Sequence, residues 1–178
     1  LSIKAFQKCI EIMPDYAEAH LNLGLCYLLV GDYENGWREY EWRRKLLKES
    51  NDKLSKEWSG QNLENKTLLV LDEGSDGNLI HFIRFIRELK KESCKVLVQC
   101  SEEAQTLIDN QKWIDKAIAA DEYPEHDFFI PIGSLMNVLK YNPNHHKQIF
   151  PYIEAHADKI SKNDKEQVHI GLVFETDR

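Results

Sequence analysis

The chain has 178 residues, 42% of them hydrophobic and 30% charged, and a formal net charge of −7 at pH 7. That balance supports a packed core and excludes global disorder. The acidic total excludes a broad nucleic-acid or anionic-membrane surface, which needs clustered Lys and Arg to displace counterions. The length suits one ordinary domain, or a small module joined to a domain of about 100 residues. Cys9, Cys26, Cys94 and Cys100 form no Cys-x-x-Cys pair and have no His at zinc-ligand spacing, so they read as reduced, mostly buried small hydrophobes. No apolar run approaches the ~20 residues of a membrane span, and no signal core follows the N-terminus. A cytoplasmic protein without cofactor or metal is expected. The pattern opens in mid-helix at Leu1, so further sequence is expected before it.

The first predicted helix covers residues 2–14, with Ser2, Phe6 and Cys9 on one face and Pro14 as its stop. The second covers residues 16–30, with Ala19, Leu23, Tyr27 and Leu28 at helical spacing and Gly24 where close packing wants no side chain. Gly31 and Asp32 make a turn, and a third helix follows over residues 33–47. Ser2, Phe6, Cys9 and Pro14, then Leu23-Gly24, Tyr27, Gly31-Asp32-Tyr33, Gly36 and Tyr40, resemble the tetratricopeptide repeat: one full repeat and the second helix of another. The resemblance implies a protein partner held through the repeats, with Asn22, Tyr27 and Tyr40 as candidate binding residues. His20 stands where the family often has Trp, and Arg43 where it prefers a small residue. The basic and aromatic run over residues 37–45 is interrupted by Glu39 and Glu41, and reads as a docking face towards the following domain.

Residues 49–66 are polar and read as a linker anchored by Trp58. Beyond it strands are predicted at 67–71, 95–100, 127–132 and 168–174, and helices at 79–90, 102–110, 133–141 and 150–161. Continuous apolar strands separated by amphipathic helices indicate a parallel sheet covered on both faces. The expected fold class is therefore α+α/β: repeat helices over residues 1–48, then a Rossmann-like parallel unit over 67–178.

In such sheets ligands bind beyond the carboxyl ends of the strands, which singles out the loop with Glu73, Gly74, Gly77 and Asn78 as an acceptor or phosphate site. It lacks the third glycine of a dinucleotide fingerprint. The larger pattern is Gly36-Trp37, Tyr40-Glu41-Trp42-Arg43, Trp58-Ser59-Gly60, Leu68-Leu69-Val70, Glu73-Gly74, Gly77-Asn78 and Ile80-His81-Phe82-Ile83-Arg84, continuing through Asp127-Phe128-Phe129-Ile130-Pro131-Ile132 and Ile170-Gly171-Leu172-Val173-Phe174. It resembles a bacterial family that joins tetratricopeptide repeats to a heptosyltransferase-like glycosyltransferase domain of GT-B type. The resemblance implies an acceptor-side half-domain, with a nucleotide sugar or a glycan or peptide acceptor as ligand, and a donor half beyond the strand at 170–174. Where the family loop carries an Asp as the natural base, this chain has Asn78, and an amide cannot act as a base. Asp76 and His81 are the substitute catalytic candidates, although Asp76 and Asn78 also suit a turn and a helix N-cap. Three readings follow: a partner- or acceptor-binding protein that does not catalyse alone, an active glycosyltransferase whose donor half lies outside this chain, and a pure interaction scaffold. His145, His146 and His156 read as a solvated loop, Ser134 as a helix N-cap, and His126-Asp127 as a strand-edge cap.

Overall fold

Proline and glycine punctuate the N-terminal helices of the computed structural model, which describes residues 2–47, 54–89, 93–145 and 152–154. Helix α1 (Ser2–Ile12) ends before Pro14, α2 (Ala17–Leu29) follows, and Gly31, at a φ of 84°, makes the turn that only a residue without Cβ adopts freely. Asp32 then caps α3 (Tyr33–Tyr40), its carboxylate accepting the Asn35 N–H at 3.3 Å. A Cβ on Gly24 would lie 2.8 Å from the Tyr40 backbone nitrogen and 3.0 Å from the Gly36 carbonyl oxygen, so α2 and α3 cross with their backbones nearly touching. The third predicted helix does not run on regularly. It tightens at Glu41–Lys45 into a 3-10 turn that buries Arg43.

Among the described residues five parallel strands follow: β1 (Lys56–Glu57), β2 (Thr67–Leu71), β3 (Lys95–Cys100), β4 (Lys116–Ala119) and β5 (Phe128–Pro131), in the order β1-β5-β2-β3-β4. Two of them are absent from the sequence reading. Lys56–Glu57 lies inside the stretch expected as linker, yet pairs with β5, and the next N–H, that of Trp58, donates to the Phe129 carbonyl at 2.8 Å. Trp58 is buried beside it, as its anchoring role requires. β4 closes the opposite edge against β3.

Alternate residues of each strand serve two cores, because successive side chains leave opposite faces. Leu68, Val70, Val96, Val98, Ala117 and Ile130 meet the helices: α4 (Asp76–Phe82), a 3-10 turn (Ile83–Phe85), α5 (Ile86–Leu89), α6 (Glu102–Asp109) and α7 (Leu135–Val138). Leu69, Leu71, Leu97 and Ile118 form a smaller cluster on the other face, with Leu54, Tyr123 and Phe129 against it. Among the described residues the helices of the α/β unit lie on the first face; helices on both faces were expected. The crossing from β4 to β5 covers part of the second, held where the Gln99 amide donates to the Glu122 carbonyl at 2.7 Å. The predicted strand at 168–174 and all but the fringe of the helix at 150–161 lie outside the described residues.

Candidate functional site

The chain runs outward from β2 to β3 and β4 on one side, then returns to place β5 on the other side of β2. The loops after β2 and β5 leave the carboxyl ends of these neighbouring strands side by side, and open α/β sheets take their ligands at that end, in a crevice between such loops. Here a guanidinium occupies it. Arg43 gives Glu73 two hydrogen bonds, from Nε to Oε1 at 2.9 Å and from Nη2 to Oε2 at 3.1 Å. Its Nη2 also reaches Ser134 Oγ at 3.0 Å, and its Nη1 reaches Glu41 Oε1 at 2.9 Å. The Gly133 N–H donates to Glu73 Oε2 at 2.7 Å, and the Ser134 hydroxyl donates to Glu41 Oε2 at 2.8 Å. The Arg43 and Glu73 side chains retain 8% and 7% of their exposure, so the pair is withdrawn from water while every charged oxygen of Glu73 has a donor. Gly133 makes the fit possible: a Cβ there would stand 2.5 Å from Glu73 Oε2 and 2.7 Å from Arg43 Nη2.

The rest of the 37–45 run serves the same junction. Trp37 Nε1 donates to the Tyr141 carbonyl at 2.9 Å, and Arg44 grips Glu57 through bonds of 2.7 and 3.0 Å. Tyr40 lies beneath Arg43, 4.7 Å from ring centre to guanidinium, and edge-on to Phe82. Burial raises its phenol above the ordinary range, against the lowering field of Arg43. Tyr40, expected as a partner-binding residue, is thus turned towards α4. Asn22 is exposed, its amide donating to the Glu18 carbonyl at 2.8 Å, and the Tyr27 hydroxyl accepts from Gln7 at 3.0 Å. His20, the residue in place of Trp, stacks on Trp42 at 3.6 Å and lies 2.6 Å from Glu39 Oε2.

The loop after β2 differs in detail from the sequence reading. Helix α4 begins at Asp76, three residues before the expected start, and Ser75 rather than Asp76 or Asn78 is its N-cap, accepting the Asn78 N–H at 3.4 Å. Gly74, at a φ of 78°, sets the turn; Gly77 and Asn78 are exposed in the first helical turn. Asp76 accepts a bond from Ser101 Oγ at 2.9 Å, which ties it to the end of β3. His81 lies in the last turn of that helix, 3.4 Å from Arg84 Nη2, and burial followed by the Arg84 charge holds its imidazole below the ordinary range. The two catalytic candidates are therefore not hydrogen-bonded to each other, and each has a different partner. Ser134 stands at the N-cap position of α7, as read, but its side chain makes no capping bond; its hydroxyl belongs to the Arg43 network.

A carboxylate missed by sequence reasoning sits closer to the strand end. Asp72 follows β2 directly, and its Oδ1 is buried without a hydrogen-bond partner. Burial lifts its carboxyl above the ordinary range and the Asp76 charge adds to this, while the N–H groups of Glu73, Ser75 and Gly74 pull the other way. Its only sequence signal was its place, the first residue past the first long strand. Cys100, nearby, is pushed up to about 11 by burial and by Asp109, Asp72 and Asp76, so its thiol stays protonated at neutral pH. At the opposite end of the sheet Asp127 accepts the Thr67 N–H at 2.9 Å and the Lys66 ammonium at 3.0 Å, the strand-edge role read for it. Among the described residues no three His, Cys, Asp or Glu side chains converge as metal ligands. His146 and His156 lie outside them.

The tetratricopeptide repeat family model matches residues 5–37, which spans α2 and parts of its two neighbours. Repeats of this kind point to a role in protein interaction. No curated protein and no solved structure matches the chain. Among the described residues no helix is long and apolar enough to cross a membrane.

Proposed function

We propose that the chain is a protein-binding module in which the repeat helices hold a protein partner, while the α/β unit is a glycosyltransferase-like, acceptor-side half-domain that does not catalyse transfer alone. The observation that carries this reading is Arg43 in the crevice between the loops after β2 and β5. A nucleotide or sugar entering there must displace a buried, fully hydrogen-bonded ion pair, and breaking such a pair costs ~3–5 kcal/mol. Glu73 is committed to Arg43 and Gly133, which leaves Gly74, Asp76, Gly77 and Asn78 as the exposed part of the loop. The repeat match over residues 5–37 supports the partner-binding half of the reading, with exposed Asn22 as its probe position.

Calorimetric titration with nucleotide sugars is expected to give no saturable heat. In parallel, a protein captured by the wild-type chain and reconstituted from purified components is expected to be lost on Asn22→Arg. Saturable nucleotide-sugar binding by the unaltered chain would sink the proposal. A second reading, an active glycosyltransferase whose donor half lies outside this chain, is favoured by one observation: the carboxyl of Asp72 beside Asp76 at the strand ends, with a buried, unbonded Oδ1 and raised above its ordinary range by burial. In that case Asp72→Asn abolishes transfer in an assay supplied with a donor half, and Asn78→Asp raises it.

A further inference from the structure

A groove of about 620 Å³ runs between α3 and the turn that follows α7. One wall carries Tyr33, Trp37, Glu34 and Arg38, the other Lys140 and Tyr141, and His145 stands at its end. Its aromatic wall is fixed: Trp37 is bonded to the Tyr141 carbonyl at 2.9 Å, and the Tyr141 ring meets Phe85 edge-on at 4.5 Å. Volumes of this size are in the range that binds ligands.

Its charge opposes that of the molecule. In a chain of net charge −7, the groove sets two cations, Arg38 and Lys140, against one carboxylate, Glu34. Both cations are exposed. Arg38 gives one bond to the Asn35 side-chain oxygen at 2.5 Å, and among the described residues neither cation is paired with a carboxylate.

Lys140 is also held in an unusual backbone state. It stands just past the end of α7 at a φ of 49°, and the Tyr141 N–H reaches back to the Met136 carbonyl at 2.8 Å. That is the Schellman ending, whose left-handed position belongs to glycine or asparagine; a residue with a Cβ there costs about 1 kcal/mol. Glycine would end the helix at lower cost, so what lysine adds is its ammonium at the groove mouth.

We propose that this groove binds an acidic peptide segment, its carboxylates meeting Arg38 and Lys140 and an aromatic or aliphatic side chain lying on Trp37 and Tyr33. A peptide fits better than a nucleotide for two reasons. The groove offers flat aromatic wall and separated cations, with no glycine-rich loop to cradle phosphates. Glu34 lies among the cations, which spaced carboxylates can avoid and a compact triphosphate cannot. The site is separate from Asn22 and from the Arg43 crevice, and it does not depend on the glycosyltransferase likeness.

The test is fluorescence anisotropy of the full chain with a fluorescein-labelled peptide of glutamates around a central phenylalanine, beside its lysine counterpart and labelled ATP. Saturable binding of the acidic peptide alone is expected, weakening as salt rises. Arg38→Glu with Lys140→Glu should reduce affinity by roughly tenfold or more, and Glu34→Gln should raise it. Lys140→Gly keeps binding and folding apart: it should weaken the peptide while the melting temperature holds or rises. Equal binding of the lysine peptide, indifference to the double charge reversal, or binding of ATP in place of the peptide overturns the proposal.

Discussion

Arg43 and Glu73 meet across thirty residues of sequence, and their burial decides what a substitution does. Removing one partner leaves the other as an uncompensated charge in a dry site. Arg43→Met should therefore cost ~3–5 kcal/mol in urea unfolding, whereas Arg43→Met combined with Glu73→Gln should recover much of that loss. Equal losses for the single and double variants would mean that packing, not charge, holds the junction. Arg43 was legible in the sequence as a misfit, a long cation where the repeat prefers a small residue, and as one member of the 37–45 run read as a docking face. Its acceptor was not, because nothing local links a helix residue to a loop after a distant strand. Asp72 gives the opposite sign. Its folded carboxyl is raised above 3.8, so the native state holds the proton more tightly than the unfolded chain does, and stability falls as pH rises through the folded value. Asp72→Asn is expected to raise the melting temperature at neutral pH and to flatten its fall above pH 4, followed by calorimetry from acid to neutral. An unchanged pH profile would remove Asp72 from the account.

Among the elements, α2 and α3 show how a single hydrogen atom sets a packing distance. The atoms facing Gly24 belong to the backbone of α3, which cannot rotate aside, so Gly24→Ala must part the two helices. A loss of ~1–3 kcal/mol is expected, read from the far-UV melting curve, although alanine improves helix propensity in isolation. The same scale explains which elements could be read in advance. β2 and β3 were legible because they are central strands and apolar on both faces. β4 was not: Lys116 to Ala119 holds a single β-branched residue and is a sheet edge, so pairing with β3 makes it a strand. Lys56–Glu57 has no strand signal at all and is extended because β5 offers it a partner. The predicted helices over 33–47 and 79–90 were right in existence and wrong in continuity. Each tightens into a 3-10 turn where the chain must place a particular side chain inward, Arg43 in the first and Ile83 in the second.

On the scale of the molecule, the helical region and the sheet share a buried ion pair, an indole bond and a second Arg–Glu pair, and these couple their unfolding. The described helices of residues 2–47 have little core of their own: α1 contains no buried residue, and Leu29 is 86% exposed. Stacked helical repeats gain most of their stability from neighbours, and among the described residues that neighbour is the α/β unit. One transition is therefore expected for the whole chain, with helical circular dichroism and tryptophan fluorescence coinciding. Cutting the junction by Arg43→Ala with Trp37→Ala should split them, because the helices lose their support while the sheet keeps the core formed by Leu68, Val70, Val96 and Val98. Amide hydrogen exchange would locate the change, with α1 and α2 losing protection and β2 and β3 retaining it. If the double variant still unfolds in one step at a lower midpoint, the helices are held by contacts other than these, and the junction is a consequence of docking and not its cause.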